Sequence, residues 1–217
     1  MNTLKQFAII LCTLMIGFGL SGCASYDLST DAGFSYSSIP VAKDTATAGE
    51  GSSIQFRGAP LALSGEGISE GDALRSVNVA QGDLSLMDLS TTKGKVRVIS
   101  VVPSLDTKVC EQQTHYLSEK NHGLAAQVDL YTISVDTPFA QERFAKDAKI
   151  NNVTFLSDYR GGDFGRTFGL LLEGPHVLAR AIMVVDRDNV IRYLQVTPDL
   201  ATMPDMEATF AAAKTLL

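Results

Sequence analysis

Tryptophan is absent from this 217-residue chain, and cysteine and histidine are held to three each. So few cysteines exclude a fold stapled by disulfides, which would show a larger, even set. The histidines, His115, His122 and His176, stand at no spacing typical of a zinc site, so neither metal nor cofactor is expected. Basic residues are short as well: 18 Lys and Arg against 24 Asp and Glu leave a formal charge of −6. That balance excludes nucleic acid as a partner, which would need clustered positive charge. The fold must therefore rest on its hydrophobic core, and 45% hydrophobic residues suffice for one domain of moderate size.

The one long apolar run, Phe7 to Leu20, follows Lys5 and leads into Leu-Ser-Gly and Cys23. A basic start, an apolar stretch and small residues before a cleavage point describe a secretory signal. The cysteine after Leu-Ser-Gly resembles a bacterial lipoprotein signal. Residues 1–22 are then expected to be removed and Cys23 to be diacylated as the mature N-terminus. The alternative, a transmembrane anchor, is disfavoured because the run is about 14 residues where a spanning helix needs roughly 20. Ala24 rather than Asp follows the cysteine, which in a Gram-negative cell resembles the signal for the outer membrane. The expected location is the cell envelope, lipid-anchored and facing the periplasm if the cell is Gram-negative. Cys12 leaves with the signal, and Cys110 becomes the one free thiol. Residues 23–51, rich in Ser, Thr, Ala, Gly and Asp, read as a flexible tether. An ordered extension lying on the domain is the alternative, given Tyr26, Phe34 and Tyr36.

Beyond the tether, residues 52–217 alternate between elements. "IQFR" and "LALS" flank Gly58-Ala59 as a hairpin, and "SVNVA" and "LSLMDL" are short strands around "QGD". The β-branched run 95–102 reads as a buried strand. "KVCEQQTHYLSEKNHG" reads as a helix ended by Gly123. A second strand, "QVDLYTISV", precedes a helix with Pro138 in its first turn. "ARAIMVVD" and "VIRYLQV" flank a turn at Arg187-Asp188-Asn189, and "MPDMEATFAAAKTLL" closes the chain as a helix. This order predicts an α/β domain of thioredoxin-like fold, with a mixed central sheet, flanking helices and an N-terminal β-hairpin.

Cys110 stands at the first turn of a helix leaving the C-terminal end of a strand, where open α/β sheets bind ligands. Unpaired N–H groups and the helix dipole favour an anion there, and the thiolate is the nucleophile. Ionisation alone is a small gain. A thiol whose pKa falls from about 8.5 to about 6 holds about 30-fold more thiolate at neutral pH, against enzymatic accelerations of about 10⁶ or more. The flanking residues matter more, and they carry a resemblance. Pro103, Thr107 and Cys110 spell the PxxxTxxC signature of peroxiredoxins. "FRGAPLALSG", "VPSLDTKVC", "TISVDTPFAQERF", "LSDYRGGDFGRTFGL", "LARAIMVVD" and "PDMEATFAAAK" resemble, in that order, the bacterial thiol peroxidases, which are atypical two-cysteine peroxiredoxins.

The resemblance implies roles. Cys110 matches the peroxidatic cysteine, Thr107 the hydroxyl that contacts the thiolate and orients the peroxide, and Pro103 the shield against water. Arg180 matches the arginine that pairs with the thiolate and the reacting oxygens; its position alone does not favour it over Arg160 or Arg166. The implied partners are a peroxide, an external thiol reductant (a thioredoxin-like protein or a small thiol), the membrane through the lipid anchor, and a second copy in a homodimer. Thr107 read without the resemblance is a plain helix N-cap, and Cys110 a small buried hydrophobe.

Two departures stand out. Where many members carry a resolving cysteine, this chain has Ala145, so no intramolecular disulfide can form. Where the family commonly has Pro-Asp-Phe, this chain has Ala73-Leu74-Arg75, so the phenylalanine that the resemblance would pack near the site is missing. The expected function is a one-cysteine peroxidase. A thioredoxin-like binding or sensor module is the alternative. A thiol-disulfide oxidoreductase would need a CxxC pair, and position 107 is Thr.

Overall fold

The computed structural model describes residues 33–217. The expected signal peptide, Cys23 and the first part of the tether lie outside them. In chain order the elements are β1 (Ser53–Phe56), β2 (Ala59–Ser64), β3 (Asn78–Ala80), β4 (Leu86–Asp88), β5 (Arg97–Val101), α1 (Lys108–Glu119), β6 (Asp129–Ser134), α2 (Pro138–Asp147), β7 (Thr154–Ser157), α3 (Asp163–Phe168), β8 (Leu171–Leu172), β9 (Val177–Leu178), β10 (Ala181–Val185), β11 (Ile191–Val196) and α4 (Met206–Lys214).

Seven strands form a mixed sheet in the order β11-β10-β5-β6-β7-β3-β4, and β1, β2, β8 and β9 form a second, antiparallel one. The expected hairpins β1–β2, β3–β4 and β10–β11 are all present. Strands β5, β6 and β7 run parallel, so helices α1 and α2 must cross between them. Side chains alternate along the central strands, and the core divides accordingly. Val98, Ile182 and Val184 face α1 and α4 through Leu117, Met206 and Phe210. Ile99, Val101, Met183 and Val185 face the other way, with Phe164 and Phe168 of α3 and Leu63 and Leu172 of the second sheet. This is the thioredoxin-like arrangement expected.

Three expectations change. Helix α1 ends at Glu119 with Lys120 as its C-cap, before Gly123. Asn121 Nδ2 donates to Leu117 O at 3.0 Å and Ser118 O at 2.7 Å, satisfying the last carbonyls. Gly123, at φ 82°, instead opens a single 3₁₀ turn at Leu124–Ala126. Residues 34–51, expected as tether, lie on the domain: Ala42 N donates to Met203 O at 2.8 Å, Ala46 N to Val196 O at 2.8 Å and Gly49 N to Gly169 O at 2.9 Å. At that last contact glycine is required, because Gly169 has φ +65° and a Cβ on it would lie 2.5 Å from the backbone of Gly49 and Gly67. Finally, Ala73-Leu74-Arg75 contributes nothing to the cluster of Val102, Leu105, Phe144 and Phe155 around the cysteine. Leu74 is buried in the main core, and Arg75 binds Glu66, Gly67 O and Thr167 O beside the Phe168 ring.

Candidate active site

Strand β5 delivers the chain to a loop, 102–107, that is pinned before the helix begins. Asp136, just past β6, accepts from Ser104 Oγ at 2.8 Å and from Leu105 N at 2.7 Å. Pro103 is half-buried in this loop. Thr107 follows at the N-cap position with extended backbone (φ −132°, ψ 143°), yet its side chain does not cap the helix. Its Oγ1 lies 2.9 Å from Cys110 Sγ and 3.1 Å from Ser104 O. One O–H serves one acceptor at a time. With a thiol, the S–H can donate to Oγ1 while the hydroxyl donates to Ser104 O. With a thiolate, the hydroxyl can turn to the sulfur.

Cys110 is the third residue of α1 and fully buried, among Val102 and Leu105, with Phe144 and Phe155 packed against them. It therefore lies in the first turn, where the backbone N–H groups lack intrahelical acceptors. Thr107, by contrast, is exposed and forms part of the rim.

Arg180 arrives from the opposite side, through strand register. Ala181 of β10 pairs with Val101 of β5, so the residue before it falls beside the start of the cysteine loop. The side chain is buried, and its Nη2 lies 3.5 Å from Cys110 Sγ. Two neutral acceptors hold it there. Leu200 O accepts from Nε at 3.1 Å and Nη2 at 3.0 Å, and Gln113 Oε1 accepts from Nη1 at 2.8 Å. Gln113, itself buried, is fixed by donating from Nε2 to Ser100 Oγ at 2.8 Å. Neither Leu200 O nor Gln113 carries charge, so the guanidinium's charge is left to the sulfur and to whatever reacts with it.

Thus Thr107, Cys110 and Arg180 come together, with Pro103 in the adjoining loop. Arg160 and Arg166 do not join them: Arg160 reaches Tyr159 Oη and Leu84 O, and Arg166 reaches Gly161 O. Ala145 sits on α2, one residue after the Phe144 that packs against the cysteine cluster. Sequence reading missed Gln113 and Leu200. The first stands one helical turn after Cys110, and its placement carried a signal only once Arg180 was known. The second acts through a main-chain carbonyl and leaves no signal in residue type.

Among the described residues no cluster of His, Cys, Asp or Glu could hold a metal. The Redoxin family model matches residues 69–212. A thiol peroxidase of Streptococcus pneumoniae is 40% identical over 163 residues, covering 75% of this chain and 99% of the relative. One of Staphylococcus aureus is 40% identical over 166 residues, covering 75% and 98%. Among solved structures, a peroxiredoxin-like protein from Aquifex aeolicus superposes with a TM-score of 0.71 at 33% identity, over 76% of this chain and 97% of that one. A thiol peroxidase from Chromobacterium violaceum, at 22% identity and TM-score 0.65, shares the fold over 75% and 95%. Matched over nearly the whole length of its relatives, the chain belongs to the Redoxin family, on the branch of the bacterial thiol peroxidases.

Proposed function

We propose that this protein is a thiol-dependent peroxidase that works through Cys110 alone. The observation that carries the reading is the convergence of Thr107 Oγ1 (2.9 Å) and Arg180 Nη2 (3.5 Å) on one buried sulfur at a helix start. The Cys110 thiolate attacks one peroxide oxygen, an S–O bond forms, and the O–O bond breaks. The distal oxygen leaves as water or an alcohol after taking a proton, and the sulfur is left as sulfenic acid. Negative charge moves onto the leaving oxygen during this step. Fixed donors aimed at it lower the barrier more than ionisation of the thiol does, and Arg180, which stays charged at neutral pH, supplies them.

Ala145 stands where relatives on this branch place a second cysteine, so an external thiol completes the cycle. It attacks the sulfenic sulfur, water leaves and a mixed disulfide forms; a second thiol then releases Cys110. The apolar surroundings, Val102, Leu105, Phe144 and Phe155, favour organic or lipid hydroperoxides beside hydrogen peroxide. The lipoprotein-like start supports work in the cell envelope, tethered through Cys23, and family habit supports a homodimer.

The test is a single turnover. Reduced protein is mixed with hydrogen peroxide or an alkyl hydroperoxide, Cys110 is followed by intact mass, and sulfenic acid is trapped with dimedone. Fast conversion to a species with one added oxygen and no intramolecular disulfide is expected, slowed strongly by Arg180→Met. Conversion no faster than a free thiol would overturn the reading in favour of a thioredoxin-like binding module.

A further inference from the structure

Residues 34–46 lie ahead of the stretch that matches the family model, yet they touch both elements that hold the site. On helix α1, the Phe34 ring stacks on His115 with centroids 3.9 Å apart and planes 13° apart. Tyr36 Oη donates to Glu119 Oε2 at 2.8 Å. Ser37 is bound on both sides of its peptide: its N donates to Gln112 Oε1 at 2.7 Å, and Gln112 Nε2 donates to its carbonyl at 3.0 Å. Three successive turns of the cysteine's helix are thereby held from outside, over a separation of 75 or more residues.

The same segment then pairs with the loop after β11. Val41 and Met203 form a parallel bridge, closed by Ala42 N to Met203 O and Met203 N to Pro40 O, both 2.8 Å. Met203 lies three residues beyond Leu200, whose carbonyl takes two of Arg180's donors. Gln195 Nε2 reaches Ala42 O at 3.0 Å and fastens the crossing to β11. One short stretch of chain therefore bridges the helix that carries the sulfur and the loop that anchors the guanidinium.

We propose that residues 34–46 are a brace that sets Cys110 and Arg180 against each other, a positioning part of the peroxidase site supplied from outside the family domain. The inference rests on the peroxidase reading. A separation of 3.5 Å between Nη2 and Sγ leaves little slack, and a displacement of about 1 Å at a reacting centre can cost about 100-fold in rate. Tether and site are also linked: whatever displaces residues 34–46 acts on the site through Gln112 and Met203.

The test uses the full-length chain in detergent, with Phe34→Ala/Tyr36→Ala and, separately, Gln112→Ala, in which alanine preserves the helix. Two rates are read at Cys110, oxidation by hydrogen peroxide and alkylation by iodoacetamide, along with hydrogen exchange over residues 33–46. Alkylation needs only an accessible thiolate, whereas peroxide reduction needs Arg180 in place. The expected result is faster exchange in the segment and a peroxide-to-iodoacetamide ratio reduced about tenfold in both variants. A merely structural role would lower the melting temperature without moving the ratio. A ratio within twofold of the wild type would overturn the proposal. So would a segment that stays protected in the double variant, since the named contacts would then not hold it. Should the double variant not fold, the Gln112→Ala ratio decides. A wild-type chain no faster with peroxide than a free thiol would instead overturn the peroxidase reading itself.

Discussion

Replacing Gln113 by leucine isolates what Arg180 contributes when it is held less firmly. Gln113 is buried, and its Oε1 accepts from Arg180 Nη1 at 2.8 Å. Leucine has nearly the same bulk but neither acceptor nor donor, so one buried cationic donor loses its partner and Ser100 Oγ loses the bond from Gln113 Nε2. A hydrogen bond to a charged group is worth about 1.5–3 kcal/mol. For a domain of this size, a 2 kcal/mol loss lowers Tm by about 4–8 °C. Two anchors on Leu200 O remain, so the guanidinium stays in the site but gains freedom to swing. Losing an oxyanion donor outright costs about 10²–10³ in rate. A loosened one should cost less, about 10- to 30-fold, or roughly 1.4–2 kcal/mol on the barrier. Gln113→Glu separates the two effects: it keeps an acceptor at the same place but sets a negative charge beside Arg180, so the rate falls while the melting temperature falls less than in the leucine variant. The chain has no tryptophan to report the reaction, so oxidation is followed by rapid quench and intact mass, with melting by circular dichroism. A leucine variant that melts at the expected lower temperature yet oxidises within twofold of the wild type would refute the reasoning, because Gln113's hold on Arg180 would then not matter to the step.

Thr107→Val should slow single-turnover oxidation of Cys110 by about 10- to 100-fold, with little change in melting, since the residue is exposed and its hydroxyl does not cap the helix; an unchanged rate would remove Thr107 from the chemistry. Partial burial pushes the Glu119 carboxyl up, but hydrogen bonds from His115 and Tyr36, aided by Lys120, outweigh it and hold the group below its ordinary range. A depressed carboxylate stabilises the fold above its unfolded value and loses that contribution as pH falls through the folded one. Protection factors over residues 34–39, taken against the intrinsic exchange rate at each pH, should therefore fall under acid, and Glu119→Gln should remove that fall. Because Cys110 is fully buried, a small thiol should reduce its sulfenic acid faster than a folded dithiol protein does, unless that protein first opens the turn at 107–110; stopped turnover assays with each reductant compare them.

Local pattern was enough for much of the fold. The β-branched run at 95–102, the apolar run at 181–185 and the turn at 187–189 were readable because each depends on neighbours in sequence. Contacts made at long range were not. Phe34 and Tyr36 sit in a segment without periodicity, and their partners, His115 and Glu119, lie some eighty residues away. Gly123 looked like a helix stop, but Asn121 satisfies the last carbonyls first and leaves the glycine to begin the next turn. Strands β8 and β9 are two residues each and too short to show a period. At the site, Cys110 and Thr107 share one turn, and the spacing that joins them is written in the sequence. Arg180 depends on the register of β10 against β5, which no local motif displays, and so only resemblance singled it out from Arg160 and Arg166.

The two halves of the proposed cycle ask opposite things of this geometry. Peroxide is small, and its reduction gains from a sulfur sealed among Val102, Leu105, Phe144 and Phe155, where the buried Arg180 acts with little screening by water. Reduction of the product needs an incoming sulfur in line with Cys110, and the same seal obstructs it. A second cysteine on α2 could be brought to the site by movement within the chain, but Ala145 gives no such route. The contacts of residues 34–37 fall on Gln112, His115 and Glu119, beyond the first turn of α1. Among the described contacts of that segment, none falls on 107–110, so opening of the first turn would have to release the Asp136 contacts of Ser104 and Leu105 but none of those made by residues 34–37. A fold that fastens the body of the helix apart from its start would keep Gln113, and through it Arg180, in register during an exchange at the sulfur, which is the division the proposed single-cysteine cycle requires.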